Sequence, residues 1–267
     1  MIFGGVAILD FGSQYNQLIA RRIREMGVYC ELIPGNAPFS KVMKMQPAAI
    51  ILSGGPCSVY DEDAPIPAPE VFDVDIPILG ICYGMQLLAM NDGGIVKGGF
   101  EREYGPADLN IIGRCRMFEG VESGQQAWMS HGDRVVGVPD GYSVQASTDS
   151  LPIAAMASRG KCRYGVQFHP EVNHTEFGTK LLENFIFTIA GLEADWNMQT
   201  FRLRVVEQIR SELSGSGNII LGLSGGVDSS VVAALLHEAI PGRFYPIFVD
   251  NGLLRAGERE AVENTFV

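Results

Sequence analysis

Pro77-Ile78-Leu79-Gly80-Ile81-Cys82-Tyr83-Gly84-Met85-Gln86 is the stretch on which the fold turns. Its apolar opening reads as a buried strand, and Met85-Gln86 begins a helical pattern. Small residues on both sides of Cys82 permit the sharp turn that lifts a nucleophile above a sheet. A cysteine at a helix start also meets the positive end of the helix dipole, which favours thiolate. The alternative is a buried structural cysteine beside packing glycines.

Working outward, Val6–Asp10 reads as a buried parallel strand: short, apolar and closed by a polar residue. Tyr15, Leu18, Ile19, Ile23 and Met26 follow at helical spacing until Gly27. Val28–Ile33, Ala48–Leu52 and Ile76–Ile81 read as further strands, a rhythm that predicts a parallel sheet flanked by helices. Between Ala107 and Gln167 the texture becomes short alternating runs, such as Ser143–Ser147 and Ile153–Ala157, separated by turn residues. These predict antiparallel strands added to the main sheet. Thr175–Ala190 predicts one amphipathic helix through Phe177, Leu181, Leu182, Phe185 and Ile189.

A second unit opens after residue 194. Phe201, Val205, Ile209 and Leu213 share a helix face; Ile219–Leu223 reads as a strand, Ser224–Asp228 as a Gly-rich loop, Ser229–Ala239 as a helix and Phe244–Val249 as a strand. The expected organisation is therefore 1–194 as one α/β domain and 195–267 as the beginning of another.

Composition narrows the function classes. Apolar residues make up 46% of the 267, enough for a sizeable core. Lys plus Arg number 20 and Asp plus Glu 31, a net charge of −11 that disfavours generic nucleic-acid binding. Five cysteines, widely spaced and without a CxxC pair, argue against a disulfide framework and a structural zinc site. With no basic segment ahead of an apolar run, and no run long enough to span a bilayer, a cytoplasmic protein is expected, with no membrane partner.

Two further features belong with Cys82. Ser53-Gly54-Gly55-Pro56 follows a strand at the same sheet edge, where the Gly54 and Gly55 amides can approach a substrate oxygen as an oxyanion hole requires. On its own it reads better as an ordinary loop turn. Gly165-Val166-Gln167-Phe168-His169-Pro170-Glu171 places a histidine at a strand end with an acid two residues on, a base and the group that orients its ring. A lone His-x-Glu also occurs as a strand cap.

Gly80–Gln86 together with Phe168–Glu171 resembles the class I, triad-type glutamine amidotransferases. The resemblance implies Cys82 as nucleophile, His169 as general base and acid, and Glu171 as the orienting carboxylate. It implies backbone amides of Gly55 and Tyr83 around the oxyanion and Gln86 holding substrate. Leu9–Tyr15, Arg102–Gly105 and Trp128–Asp133 are similar to the GMP synthase (glutamine-hydrolysing) family within that class, with Ser130 and Asp133 contacting the α-amino and α-carboxylate groups of glutamine. Read without the family, Ser130–Asp133 is an exposed His-Gly-Asp turn between strands, and His131, His174 and His237 are surface or supporting residues.

Leu223 to Ser230 lies where a strand passes into a helix, a position whose N–H groups suit an anion. It lacks the lysine of a Walker A loop. Ser224, Gly225, Gly226, Val227, Asp228, Ser229 and Ser230 are similar instead to the SGGxDS loop of ATP pyrophosphatases, implying ATP with Mg²⁺. Phe248–Arg255 also resembles GMP synthase. The glutaminase half needs no cofactor. The implied whole reaction takes xanthosine monophosphate, ATP and glutamine to GMP, AMP, pyrophosphate and glutamate, in a family whose full-length members are expected to be homodimers. The chain covers about half of that family's length and lacks the xanthosine monophosphate pocket, so ammonia release without completed GMP synthesis is expected. Asn91-Asp92-Gly93-Gly94-Ile95 departs from the family's usual Leu-Gly-Gly-Lys. A glutaminase subunit of the anthranilate or carbamoyl-phosphate type, and a silent binding module, are the competing readings; the ATP loop disfavours the first and the intact triad the second.

Overall fold

The computed structural model describes residues 4–250, 252 and 257–266, with the side chains of 99–102, 258, 265 and 266 outside the description. Contacts divide the chain into two compact units, one ending at Trp196 and the other beginning at Asn197.

The first unit is built on a nine-stranded sheet. In chain order it runs β1 (Val6–Asp10), α1 (Asn16–Glu25), β2 (Cys30–Pro34), α2 (Phe39–Met43), β3 (Ala49–Leu52), β4 (Ile78–Ile81) and α3 (Tyr83–Asn91). There follow β5 (Ile95–Ile111), β6 (Gln125–Gly137), β7 (Tyr142–Ser147), β8 (Ala155–Ser158), β9 (Arg163–Val166) and α4 (Gly178–Glu183). The spatial order is β2-β1-β3-β4-β9-β8-β7-β5-β6. From β2 to β9 every pairing is parallel; from β9 to β6 every pairing is antiparallel.

Alternation along the strands explains the two-sided core. Val6 and Ile8 face one layer with Ile19 and Ile23 of α1 and Leu181 and Leu182 of α4. Ala7 and Leu9 face the other with Val42 of α2 and Leu87 and Leu88 of α3. Strands covered on both faces read as continuous apolar runs, so β1, β3 and β4 stand out in the sequence. The opposite holds for β5 and β6, which form a long hairpin-like pair with register shifts, the larger between Gly98 and Glu103. The expected antiparallel region begins at Ala107, but its first strand starts at Ile95, because β5 is rich in glycine and charge and carries no apolar run to announce it.

The expected last helix of this unit is corrected. The segment 175–190 becomes helical only at Gly178 and continues from Asn184 to Ile189 as a π-helix. The buried Asn184 amide there donates to the carbonyls of Met117 and Glu119, at 3.0 and 2.8 Å. The departure at Asn91–Ile95 closes α3: Gly93 takes φ +91°, Gly94 N–H returns to the Ala89 carbonyl at 2.7 Å, and Asp92 accepts the Tyr142 hydroxyl at 2.6 Å.

In the second unit Asn197 caps α5 (Met198–Glu212), its side chain accepting from the amides of Gln199 and Thr200 while Thr200 reaches back. Parallel β10 (Ile219–Leu223) and β11 (Phe244–Phe248) form a two-stranded sheet around α6 (Val227–Ala239). Helix α6 starts at Val227 rather than Ser229 because Gly226 is already its cap. Helix α7 (Glu258–Phe266) follows. Of Phe248–Arg255, residue 251 and residues 253–255 lie outside the described residues.

Candidate active site

The carboxyl ends of β1, β3, β4 and β9 lie at one edge of the parallel sheet, where ligands of open α/β folds bind. Each end supplies one part of a constellation.

Cys82 stands between β4 and α3 at φ +51°, ψ −105°, one of two described non-glycine residues with positive φ. Such a conformation is held only where the surroundings over-determine it. The flanking glycines show how. A Cβ on Gly80 would lie 2.5 Å from the Gly84 backbone, and one on Gly84 would lie 2.2 Å from the Leu52 carbonyl. Helix α3 therefore presses directly on β3 and β4. Cys82 N–H donates to the Val166 carbonyl at 2.8 Å, and Gly84 N–H to that of Ser53 at 3.0 Å. The thiol lies 3.5 Å from the Ser130 carbonyl.

His169 Nδ1 is 2.7 Å from Glu171 Oε1, and Glu171 is fully buried. The hydrogen bond to Nδ1 leaves Nε2 as the free edge of the ring. Burial pushes the imidazole down, but the Glu171 carboxylate and the adjoining Cys82 thiol outweigh it and hold His169 well above its ordinary value. The ring is wedged between Tyr15, edge-on at 4.9 Å, and Gly54, whose added Cβ would stand 3.1 Å from Cε1. Gly54 thus seats the histidine. The backbone N–H of His169 meets the Trp128 carbonyl at 3.1 Å, and its carbonyl accepts from Thr175 Oγ1 at 2.6 Å.

A cavity of about 710 Å³ opens over these groups. Among its lining residues are Gly55, Cys82, Tyr83, Gln86, Ser130, Asp133 and His169; of the sequence-derived set, Gly54 and Glu171 do not line it and lie against or behind the histidine. Gly55 packs against Phe11 and the Tyr83 ring, which places it beside the start of α3. Gln86 Nε2 donates to the Asp133 carbonyl at 2.8 Å, and the Ser58 hydroxyl to the Asp133 carboxylate.

Ser130–Asp133 is not an exposed turn. These residues lie inside β6, paired with β5, and His131 is buried. His131 is also no surface residue: it lines the cavity and sits 3.3 Å from its cross-strand partner Glu103, with burial as the main influence lowering its pKa and the nearby His169 adding to it. His174 stacks on Trp128 at 4.6 Å. Sequence reasoning gave no role to Tyr15, Ser58, Asp61 or Tyr104 in the lining; Tyr15 and Tyr104 stood inside family-like motifs, whereas Ser58 and Asp61 follow the Gly-Gly turn without a signal of their own.

In the second unit Gly226 caps α6, Gly225 takes φ +76° and Asp228 lies in the first turn. Ser224 and Ser229 hydroxyls meet at 3.0 Å, and the Ser229 and Ser230 hydroxyls donate to the Gly226 carbonyl at 3.0 and 2.9 Å. The amides of Ser224 and Gly226 are bonded to the Ser229 and Ser224 hydroxyls at 3.3 and 3.4 Å, and the loop stands at the start of α6. Gly225, Val227, Ser230, His237 and Phe244 line a cavity of about 930 Å³ beside it. Among the described residues no group of three or more His, Cys, Asp or Glu is placed to hold a metal ion.

A cysteine held in a strained turn against a histidine–glutamate pair, at the carboxyl edge of this sheet, is the arrangement of a triad-type hydrolytic site. The family described as glutamine amidotransferase class-I matches residues 7–189, and the chain belongs to it. Residues 202–256 match the family described as NAD synthase. Over 96% of its length the chain is 52% identical to the GMP synthase (glutamine-hydrolyzing) of Maridesulfovibrio salexigens, and over 98% it is 51% identical to that of Bacillus subtilis. It spans 50% and 51% of those relatives, about half their length. A solved Thermoplasma acidophilum protein, assigned as one subunit of a GMP synthase, superposes with a TM-score of 0.62 at 26% identity, covering 72% of this chain and 95% of its own. A Thermotoga maritima glutamine amidotransferase shares the fold at TM-score 0.51 and 17% identity, covering 91% of this chain and 100% of its own. No helix among the described residues is long and apolar enough to cross a membrane.

Proposed function

We propose that this chain hydrolyses glutamine to glutamate and ammonia at Cys82. The observation that carries the reading is the 2.7 Å His169–Glu171 pair set against a thiol held at positive φ. The Cys82 proton passes to His169 Nε2, and sulfur attacks the carboxamide carbon. The amides of Gly55 and Tyr83 hold the resulting oxyanion. As the C–N bond breaks, His169 returns the proton to the leaving nitrogen, and ammonia departs from a glutamyl thioester. Water, deprotonated by His169, then attacks the thioester carbon and releases glutamate and the thiol. Gln86, Ser130 and Asp133 receive the amino-acid end of glutamine.

The ammonia is destined for the ATP-dependent amination of xanthosine monophosphate to GMP, with release of AMP and pyrophosphate. The kinship with GMP synthases and the Ser224–Ser230 loop support this. The loop would take the ATP phosphates, with Asp228 as its one carboxylate toward Mg²⁺. The hydrolytic scheme itself uses no cofactor. Substitution of Cys82 by Ala should lower glutamate formation by more than about a thousandfold, by analogy with loss of a triad nucleophile; normal hydrolysis by that variant would remove Cys82 from the scheme. Measuring glutamate and GMP separately, with all three substrates present, tests the destination of the ammonia.

A further inference from the structure

The sulfur of Cys82 has one more neighbour, which the scheme above leaves idle. Gln167, the residue after β9, is 0% exposed, and its Nε2 lies 3.6 Å from Cys82 Sγ. Its Oε1 is buried and has no hydrogen-bond partner among the described residues. We propose that Gln167 is a catalytic residue whose side-chain N–H stabilises the sulfur anion of Cys82 while the thiol proton resides on His169.

Buried polar atoms are nearly always partnered, and an orphan calls for an explanation. A glutamine placed only for packing would leave its whole amide unused, at a cost an apolar side chain of the same shape avoids. Turning the amide over would set Oε1 against the thiol and bury an NH₂ group with its donors unused; carbonyl orphans are better tolerated than N–H orphans. The orientation seen is therefore the less costly one, and it aims a donor at sulfur.

The other contacts of the sulfur give that donor its role. The Ser130 carbonyl, at 3.5 Å, accepts the S–H of the neutral thiol but offers nothing to an anion. When the proton moves from Sγ to His169 Nε2 and the electron pair stays on sulfur, that contact is lost, and the Gln167 amide donates to the anion alongside the imidazolium N–H. Both ends of the contact are fixed by backbone. Cys82 N–H is bound to Val166 at 2.8 Å, and Gln167 N–H to Ala154 at 2.9 Å. The hydrogen bond is thus built into the junction of β4 and β9 and needs no substrate to form.

This inference rests on Cys82 being the nucleophile, and the experiment separates the two. The intact chain is alkylated with iodoacetamide at neutral pH, and each cysteine is followed by peptide mass spectrometry. Gln167→Met should slow alkylation of Cys82 by about 10-fold or more, the worth of a hydrogen bond to a charged group. Gln167→Glu, nearly isosteric, should slow it further, because a carboxylate repels the anion. Cys57, in the same cavity, and the exposed Cys162 should react at their parent rates. Should Met fail to pack, Glu decides alone. Parent reactivity of Cys82 in a folded variant, or equal slowing of Cys57, overturns the proposal. Loss of hydrolysis in Cys82→Ala with unchanged alkylation in the Gln167 variants ends this inference only; persistent hydrolysis in Cys82→Ala ends the nucleophile reading and, with it, a catalytic role for Gln167 whatever the alkylation rates.

Discussion

At Cys82 and at Ser224–Gly226 the chain does the same thing locally: a strand ends, a turn bearing glycine follows, and a helix begins. The surroundings differ. Strand β4 lies between β3 and β9, and every residue of all three strands is buried. Among the described residues strand β10 pairs with β11 alone, and Ile220, Tyr245, Ile247 and Val249 are exposed, with Val227, Val231 and Val232 of α6. A strand-turn-helix thus presents a side chain, but neighbours on both sides decide whether that presentation is rigid. In the first unit they convert a local motif into a fixed arrangement of sulfur, imidazole and carboxylate.

The largest effect that could break this contrast is functional. If the first unit carries hydrolysis by itself, Asp228→Ala should leave glutamate formation unchanged where Cys82→Ala abolishes it; loss of hydrolysis in both would tie the two loops together. Next, amide hydrogen exchange should be slower in β1, β3 and β4 than in β10 and β11 by about a thousandfold, since opening energies follow buried contacts. Equal protection would deny the difference in rigidity.

A pH series sharpens the claim about the buried pair. His169 is raised in the folded protein, so the stability it lends is complete below its ordinary value of 6.5 and is lost as pH climbs through the raised value. Glu171→Gln should therefore destabilise by about 3 kcal/mol near pH 6 and by less near pH 10 in denaturant titrations. A cost that does not change with pH would show that the pair is not an ionic one. The smallest effect compares two glycines. A methyl at Gly84 meets the Leu52 carbonyl at 2.2 Å, whereas at Gly222 nothing lies within 4 Å. Gly84→Ala should cost about 2 kcal/mol and Gly222→Ala less than about 0.5, each read from the urea midpoint.

The buried strands and the elbow were legible because their signals are local: continuous apolar runs, and glycines two residues either side of a cysteine. Strand β5 and the β6 placement of Ser130–Asp133 were not, because a strand with polar residues and glycines reads as loop until its partner is known. The approach of His131 to Glu103 runs across that ladder. Gln167 stands two residues before the histidine, in the run Gly165–Glu171, yet its meaning comes from a sulfur 85 positions away, which no spacing rule reaches. The start of α4 at Gly178 was hidden for a similar reason: a Cβ there would stand 2.0 Å from the Pro170 carbonyl, a crowding visible only once the loop after the triad is folded against the helix.

The backbone twist at Cys82 has a last consequence for how rate and affinity divide. The unfavourable torsion is imposed when the sheet closes, before any amino acid enters, so none of the substrate's binding energy is spent on aiming the sulfur. Variants that merely loosen the scaffold should then lose the fraction of molecules able to react while the survivors keep their turnover number and their affinity for glutamine.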